Sequence, residues 1–126
     1  MTMNISVQSA ALSEVDETAA SEAAACLFRG MSDPSRVAIL RHLLLGEHNV
    51  AELTAHLGLA QSTVSKHLAC LRDCHLVDSR PQGRASVFSL LYPEATLKVF
   101  AVAEELLSAT GDAVVLCPTS GEESHR

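Results

Sequence analysis

The sequence has very few aromatic residues: among 126 residues there is no Trp, one Tyr and three Phe. Because 48% of the residues are nevertheless apolar, the core must consist mainly of Leu, Val and Ala, which favours helices. A chain of this length forms one domain and leaves little material for the walls of a catalytic cleft. It also lacks a nucleophile with a base, paired carboxylates or a phosphate loop at usable spacing. We therefore expect that this protein is not an enzyme.

Two kinds of apolar segment are also missing. No run approaches the ~20 apolar residues of a membrane span, and residues 1–25 contain no Lys or Arg, which is unlike a signal peptide. We therefore expect a cytoplasmic protein with no membrane partner. Thiols stay reduced in that compartment, so metal or redox chemistry is favoured over structural disulfides. The four cysteines are Cys26, Cys70, Cys74 and Cys117.

The net charge of −6 is unevenly distributed along the chain. Residues 1–33 carry one base against five acids, residues 34–84 carry six against four, and residues 85–126 carry two against six. The middle block is therefore the only positive one. Since local charge governs phosphate contact, this block is the candidate for binding nucleic acid.

Apolar periodicity and helix-end residues predict five helices. Residues 1–13 are expected to be a flexible N-terminus, residues 14–110 a folded domain, and residues 111–126 a tail that carries Cys117. The helices are expected at residues 14–31, from Pro34 up to Gly46, and at residues 50–57, 61–77 and 94–110. The first helix has no partner for its apolar side in so small a protein, which favours a homodimer.

The helix expected at residues 61–77, QSTVSKHLACLRDCHLV, has an apolar and a polar face. At about 100° per residue, Val64, Leu68 and Leu71 fall on one side and form a core stripe. The other side suits a DNA groove and its phosphates because it is small, hydroxylic and basic. Its residues are Ser62, Ser65, Lys66, Ala69 and Arg72.

A strip beside the core stripe contains sulfur. Cys70 and Cys74 are four residues apart, which places their Cβ atoms roughly 5–6 Å apart on a helix, so that both sulfurs can bind one ion. The alternative is that both are small apolar residues at the edge of the core. A metal held here would contact the C-terminal end of a helix whose N-terminal half faces DNA.

Two short helices joined by a turn with Gly58 match a helix-turn-helix, in which the second helix enters the major groove. Residues 76–80 and 85–91 are strand-like and flank a turn at Pro81–Arg84, so they predict a hairpin wing. Arginines beside this turn are placed to meet phosphate or the minor groove, unless they are ordinary exposed charges. The predicted DNA-binding residues are Gln61, Ser62, Thr63, Ser65, Lys66, His67, Arg80 and Arg84.

The order of these elements and several local motifs resemble the ArsR/SmtB family of repressors. The motifs are DPSR at residues 33–36, AELTAHLGLAQSTVSKHL at residues 51–68, and the wing dipeptide Gly83-Arg84. The resemblance covers about residues 27–107. It implies a mainly α fold with a β-hairpin wing, a dimeric winged helix-turn-helix. It also implies a homodimer that binds operator DNA and releases it when an inducer binds.

Metal sites in this family occur at different places, so each must be compared with this sequence. The third-helix Cys-x-Cys motif is absent, because residues 49–53 read NVAEL, and residues 94–110 lack the histidines of zinc and nickel sites. The cysteine pattern resembles the cadmium- and lead-sensing members: Cys70, Cys74 and a third ligand, Cys117, in the tail. That resemblance leaves Cys26 outside the site and does not say which subunit supplies Cys117.

Three thiolates favour soft ions. The expected inducer is Cd(II) or Pb(II), with Hg(II), As(III) or Zn(II) as alternatives and no organic cofactor. His67 or His75 could add a ligand. A different hypothesis keeps the repressor and replaces the metal with a reversible disulfide or persulfide bridge between Cys70 and Cys74, or between either and Cys117.

Overall fold

The computed structural model describes the backbone of residues 2–118 and the side chains of residues 16–118. Within these residues the chain forms five α-helices and three β-strands. In chain order they are α1 (Thr2–Gly30), α2 (Pro34–Leu44), β1 (His48–Asn49), α3 (Val50–Leu57), α4 (Gln61–Asp73), β2 (Val77–Gln82), β3 (Ala85–Leu90) and α5 (Pro93–Ala109). The predicted class, mainly α with a β-hairpin wing, is confirmed.

Side-chain caps set the starts of α2 and α3. The Asp33 carboxylate accepts hydrogen bonds from the backbone N–H groups of Ser35 at 2.7 Å and Arg36 at 3.3 Å. Desolvation acts to raise the pKa of Asp33, but these two hydrogen bonds, together with the nearby charges of His67 and Arg36, lower it below its ordinary value. At α3, Asn49 and Glu52 cap each other's backbone N–H groups at 2.8 Å. Both starts follow from local sequence.

Two predicted helix boundaries were wrong. The first helix was expected from residue 14, but the backbone is helical from Thr2, since no Gly or Pro occurs before Gly30. The flexibility expected for residues 1–13 stays a prediction, and the side chains of residues 1–15 lie outside those described. Helix α4 was expected to continue to Val77 but ends at Asp73. The chain leaves it through His75, whose φ is +62°, and Val77 begins β2.

The three strands form one antiparallel sheet in the order β1-β3-β2. The predicted four-residue turn is too long, because Pro81 and Gln82 pair with β3 and the loop is Gly83-Arg84 alone. Pro81 is tolerated because β2 is an edge strand. Gly83 has a φ of +64°, which favours glycine. Strand β1 was not predicted; two residues carry no periodic signal.

The core lies between α2, α3, α4, the sheet and the inner side of α5. The predicted stripe of Val64, Leu68 and Leu71 is fully buried. The other members of this core are Ile39, Leu40, Leu43, Leu53, Val77, Phe88, Leu90 and Phe100. None of the helices in the described part of the chain is long and apolar enough to traverse a bilayer.

Helices α1 and α5 keep an exposed apolar surface. Phe28 is 62% exposed, Val102 60% and Leu106 66%, and we call these three residues the outer apolar face. Helical spacing in α5 predicts one apolar side, made of Leu97, Phe100, Ala101, Leu106 and Leu107. On that side Phe100 is buried and Leu107 is half-buried, whereas Leu97, Ala101 and Leu106 are exposed. Sequence periodicity found the apolar side but could not show that much of it faces outward.

Candidate functional site

The outer face of α4 is exposed and polar. Gln61, Ser62, Ser65 and Lys66 are all exposed, while Thr63 is half-buried beside the core stripe. These side chains occupy the N-terminal half of the second helix of a helix-turn-helix. That is the part which contacts base edges when such a helix lies in a major groove.

The tip of the wing approaches the start of α4. A shallow groove of about 330 Å³ is lined by residues of the α3 start, Gln61 of α4, and Arg84 and Ser86 of the hairpin. Gln61 and Arg84, which were predicted separately as DNA-binding residues, therefore border the same groove. Their proximity joins the helix surface to the wing surface.

Two other arginines are held against the protein. Arg72 donates a hydrogen bond to the Ser79 hydroxyl at 2.9 Å, and its guanidinium lies 5.4 Å from the centre of the Phe88 ring. Arg80, a predicted DNA contact, forms a surface ion pair with Glu47. A phosphate would have to compete with the Glu47 carboxylate, so the DNA contact of Arg80 stays a prediction.

His67 lies at a junction of three helices. Arg36 Nη1 donates to His67 Nδ1 at 3.2 Å; because arginine has no acceptor, Nδ1 must accept and Nε2 carries the proton. That Nε2 lies 3.7 Å from Asp33 Oδ1. The His67 side chain is 17% exposed. These contacts give it a positioning role between α2 and α4, and its predicted roles in DNA or metal binding stay untested.

Arg36 also connects α1 to this junction. Its Nε donates to the Gly30 carbonyl at 3.0 Å and its Nη2 to the Arg29 carbonyl at 2.8 Å. These carbonyls belong to the last turn of α1 and have no partner within the helix. Within the DPSR motif, Asp33 therefore caps the start of α2, and Arg36 caps the end of α1.

Cys70 and Cys74 lie at the C-terminal end of α4. Cys74 is the C-cap residue and is 9% exposed, whereas Cys70, one turn earlier, is half-buried. The Cys74 backbone N–H donates to the Cys70 carbonyl at 3.1 Å, so one helical turn separates the two residues as predicted. Cys74 lies on the buried side of the helix end, toward α1.

Cys26 also lies in this region, although the sequence predicts that it is outside the metal site. The Cys26 and Cys74 Sγ atoms are 2.7 Å apart, and the Cys74 thiol donates to the Cys26 carbonyl at 2.9 Å. Burial, followed by the Cys26 contact, raises the pKa of the Cys74 thiol. The two residues are 48 positions apart, so no local pattern could have shown the contact.

Arg29 and Gly30 complete the surroundings of the two thiols. Arg29 Nη2 lies 3.5 Å from Cys26 Sγ and 3.9 Å from Cys74 Sγ. The pKa of Arg29 is raised, first by the hydrogen bond to Cys74 and also by the charges of Cys26 and Cys70. A Cβ atom at Gly30 would lie 3.2 Å from Leu76 Cδ1 and 3.7 Å from Cys74 Sγ. The end of α1 therefore packs closely on the end of α4.

Cys117 lies elsewhere in the protomer, against α5. Its Sγ is 3.9 Å from the Leu97 carbonyl, and its backbone N–H donates to Glu104 Oε2 at 2.7 Å. The Leu116 N–H donates to the same carboxylate, and Arg41 Nε donates to the Leu116 carbonyl at 2.8 Å. These hydrogen bonds, from Cys117 first and then Leu116, lower the pKa of Glu104.

The three predicted ligands Cys70, Cys74 and Cys117 do not meet within one chain. Among residues whose side chains are described, no group of three or more His, Cys, Asp or Glu side chains is arranged to hold a metal ion. All four cysteines fall within these residues, and none of them is in a disulfide. A three-sulfur site would need a second subunit or a movement of the tail.

Residues 33–79 match the family model described as bacterial regulatory protein, arsR family. The matched range runs from the N-cap of α2 into β2. It contains the helix-turn-helix and the α4 cysteines. The wing tip, α5 and all of α1 lie outside it.

Three relatives illustrate the similarity. The chain is 41% identical over 63 residues to the probable mercury resistance operon repressor of Streptomyces lividans, and this match covers 50% of each chain. It is 47% identical over 68 residues to CmtR, an HTH-type transcriptional regulator of Mycobacterium tuberculosis, covering 54% of this chain and 58% of CmtR. It is 33% identical over 93 residues to the nodulation protein NolR of Rhizobium meliloti, covering 74% and 75%. The chain therefore matches little more than half the length of the first two relatives.

Solved structures show the same architecture. NolR from Sinorhizobium fredii is 29% identical, with a TM-score of 0.67 over 74% of this chain and 92% of NolR. The homodimeric winged helix-turn-helix DNA-binding domain Mb0332 of Mycobacterium bovis is 24% identical, with a TM-score of 0.67 over 74% and 89%. At that identity the second likeness shows the fold alone. Both support the predicted winged helix-turn-helix.

Proposed function

Because the chain belongs to the arsR family of bacterial regulatory proteins, we propose that it is a metal-responsive transcriptional repressor that binds operator DNA as a homodimer. The resemblance found in the sequence is thereby confirmed at the level of the family. The observation that carries the proposal is the placement of two functions on α4. A polar exposed face precedes two thiols at the opposite end of the same rigid helix.

The proposed DNA surface combines α4 with the wing. Ser62, Ser65 and Lys66 contact bases and phosphates in the major groove, while Arg84 at the wing tip contacts backbone phosphate. The groove shared by Gln61 and Arg84 supports one continuous surface. The acidic flanks of the chain weaken non-specific binding and make it sensitive to salt.

The proposed homodimer uses the outer apolar face of α1 and α5. Phe28 of α1 and Val102 and Leu106 of α5 are each at least 60% exposed, and large apolar side chains left exposed in this way support an interaction surface. A second copy of the chain covers it by two-fold symmetry. The dimer then holds two α4 helices in successive major grooves, about one DNA turn apart.

The proposed inducer site joins Cys70 and Cys74 of one subunit to Cys117 of the other. Cys117 is held on α5 through Leu97 and Glu104, and no three-ligand group exists in the described part of a single chain. Two thiols one turn apart at a helix end suit ligation, because a metal ion binds thiolates and displaces their protons. Three such ligands favour a soft ion.

Cd(II) or Pb(II) is the proposed inducer, and Hg(II), As(III) and Zn(II) are the alternatives. One relative is a mercury resistance operon repressor by name, which keeps Hg(II) among the ions to test. A bound ion would supply strong bonds to three thiolates and release their protons. The chain couples metal binding to DNA binding, because α4 moves when its cysteine-bearing end is pulled toward the tail.

The test is fluorescence anisotropy on the promoter upstream of its own gene, under strict reduction. Addition of Cd(II) or Pb(II) should weaken operator binding by roughly 5- to 150-fold, the usual range of allosteric coupling. Cys70→Ser and Cys74→Ser should bind DNA normally and fail to release it. If both variants still release DNA on metal addition, the site is elsewhere.

The third ligand is tested with the ultraviolet charge-transfer band of the metal–thiolate bonds. The band should weaken in Cys117→Ser and persist in Cys26→Ser. The opposite result assigns the third sulfur to Cys26. Circular dichroism confirms that each variant is folded.

The subunit that supplies Cys117 is tested with mixed dimers. One subunit carries Cys117→Ser and the other carries both Cys70→Ser and Cys74→Ser. If the site spans the dimer, this mixture contains one complete site and regains part of the band. If the site lies within a subunit, the mixed dimer contains none.

A further inference from the structure

The contact between Cys26 and Cys74 is too short for two sulfurs that share a metal ion. Their Sγ atoms are 2.7 Å apart. Two sulfurs at about 2.3 Å from a tetrahedral ion are roughly 3.8 Å apart, and non-bonded heavy atoms usually keep about 3.5–4.0 Å. A disulfide bond is about 2.05 Å long. The pair therefore lies nearer to a covalent bond than to a shared ion.

The surroundings of the pair suit thiol exchange. Cys26 is half-buried at the end of α1 and Cys74 is 9% exposed beneath it, so an external reagent reaches Cys26 first. The Arg29 guanidinium, exposed to solvent, lies within 3.9 Å of both sulfurs. The guanidinium is therefore placed to stabilise the negative charge that sulfur carries while the exchange takes place.

We propose that Cys26 and Cys74 form a reversible disulfide that ties the end of α1 to the end of α4. The bond also removes Cys74 from the metal site, and this second consequence rests on the proposed function. Oxidation and metal binding then exclude each other at one sulfur. The oxidised repressor stays on its operator when metal is added.

The chemistry is a two-step exchange with a low-molecular-weight disulfide, RSSR. The Cys26 thiolate attacks one sulfur of RSSR, which forms a mixed disulfide and expels one thiolate. The Cys74 thiol loses its proton to solvent and its sulfur attacks Cys26 Sγ, which expels the second thiolate. The two expelled thiolates take up the two protons lost by the protein thiols. The protein is oxidised by two electrons and RSSR is reduced to two RSH.

Trypsin places each cysteine in a different peptide, so the bond can be identified without ambiguity. Cys26 falls in residues 1–29, Cys70 in residues 67–72, Cys74 in the peptide that begins at residue 73, and Cys117 in the peptide that begins at residue 99. The reduced full-length protein, free of metal, is incubated with oxidised glutathione as RSSR. Remaining thiols are blocked with N-ethylmaleimide before digestion and mass spectrometry.

The expected product joins the peptide of residues 1–29 to the peptide that begins at residue 73. It should vanish in Cys26→Ser and persist in the double variant Cys70→Ser/Cys117→Ser, which retains both sulfurs of the pair. Arg29→Ala, in which the peptide that carries Cys26 runs to residue 36 because the cleavage site is lost, should form the cross-link several-fold more slowly, and Arg29→Lys should restore part of the rate. A bond between Cys70 and Cys74, a bond between two Cys26 residues, or mixed disulfides alone would overturn the proposal.

A second experiment, with metal, distinguishes the failure of this inference from the failure of the proposed function. Cd(II) is added to the oxidised and to the reduced protein, and the charge-transfer band is recorded. The band should be lost in the oxidised protein and return after reduction. A cross-link without any band in the reduced protein refutes metal sensing alone. A band in the reduced protein without any cross-link refutes the disulfide alone.

Discussion

The two ends of α4 lie in opposite surroundings. At the N-terminal end, Ser62, Ser65 and Lys66 face solvent. At the C-terminal end, Cys74 is 9% exposed and packs on Gly30 and Cys26 of α1. One helix therefore joins a surface that is available to a partner to an end that the rest of the chain holds in place.

Because of this difference, the two ends of α4 contribute differently to recognition and to stability. Exposed side chains cost little to replace, so the N-terminal half can carry recognition without affecting stability. The middle of α4 is connected through His67 and Arg36 to α2 and to the end of α1, and the end of α1 packs on Cys74. A chemical event at the sulfurs can then move α4 as a unit, because a helix transmits displacement along its axis.

The largest effect is expected from Leu68→Ala, which removes a core side chain beneath both halves of α4. Leu68 is 1% exposed, and such truncations lower the free energy of unfolding by about 2–5 kcal/mol. Urea denaturation measures it. Ala69→Ser, on the exposed face of the same turn, is the control and should change stability by less than about 0.5 kcal/mol. Equal losses in the two variants would contradict the burial assigned to each face.

Arg36→Ala should have an intermediate effect that is concentrated at the C-terminal end. It removes charged hydrogen bonds to two carbonyls at the end of α1 and to His67, at a cost of about 1–3 kcal/mol. The Cys74 thiol should then react faster with N-ethylmaleimide. Arg36→Lys keeps the charge without the planar fork and should recover only part of both properties. If stability falls while Cys74 reactivity is unchanged, the junction does not hold that end.

The smallest effect on stability is expected from Lys66→Ala, at the N-terminal half. Unfolding should be unchanged within about 0.5 kcal/mol. Operator affinity should fall, and the slope of its logarithm against the logarithm of salt should decrease by about one per subunit, since each phosphate contact releases counterions. Lys98→Ala, a matched change on α5, should leave the slope as it was. A slope that falls equally in both variants would place the phosphate contact elsewhere.

Local sequence was sufficient to predict the helix faces and helix ends that are set by neighbouring residues. The spacing of Val64, Leu68 and Leu71 predicted the buried face of α4, and Gly58 predicted the end of α3, where its φ is +68°. Such features depend on neighbours within a few residues. The end of α4 was misplaced because the left-handed position after Cys74 is occupied by His75 and not by the glycine that usually marks a helix end.

Long-range contacts could not be predicted in this way. Cys26 approaches Cys74 because α1 folds back over the end of α4, and Cys117 lies on α5 because Glu104 accepts its N–H. Neither contact has a periodic or motif signal. The cysteine spacing indicated that Cys70 and Cys74 share one helix end; the position of a third sulfur depends on tertiary structure.

Gly30 has a consequence for how this site could change in evolution. A methyl group there would meet Leu76 at 3.2 Å and Leu71 at 3.5 Å, so a larger residue would push α1 away from α4 by a few tenths of an ångström or more. The absence of a side chain at Gly30 thus allows α1 and α4 to approach each other closely. Substitution at this one position could separate two thiols without altering either, and so convert a pair ready to bond into two independent groups.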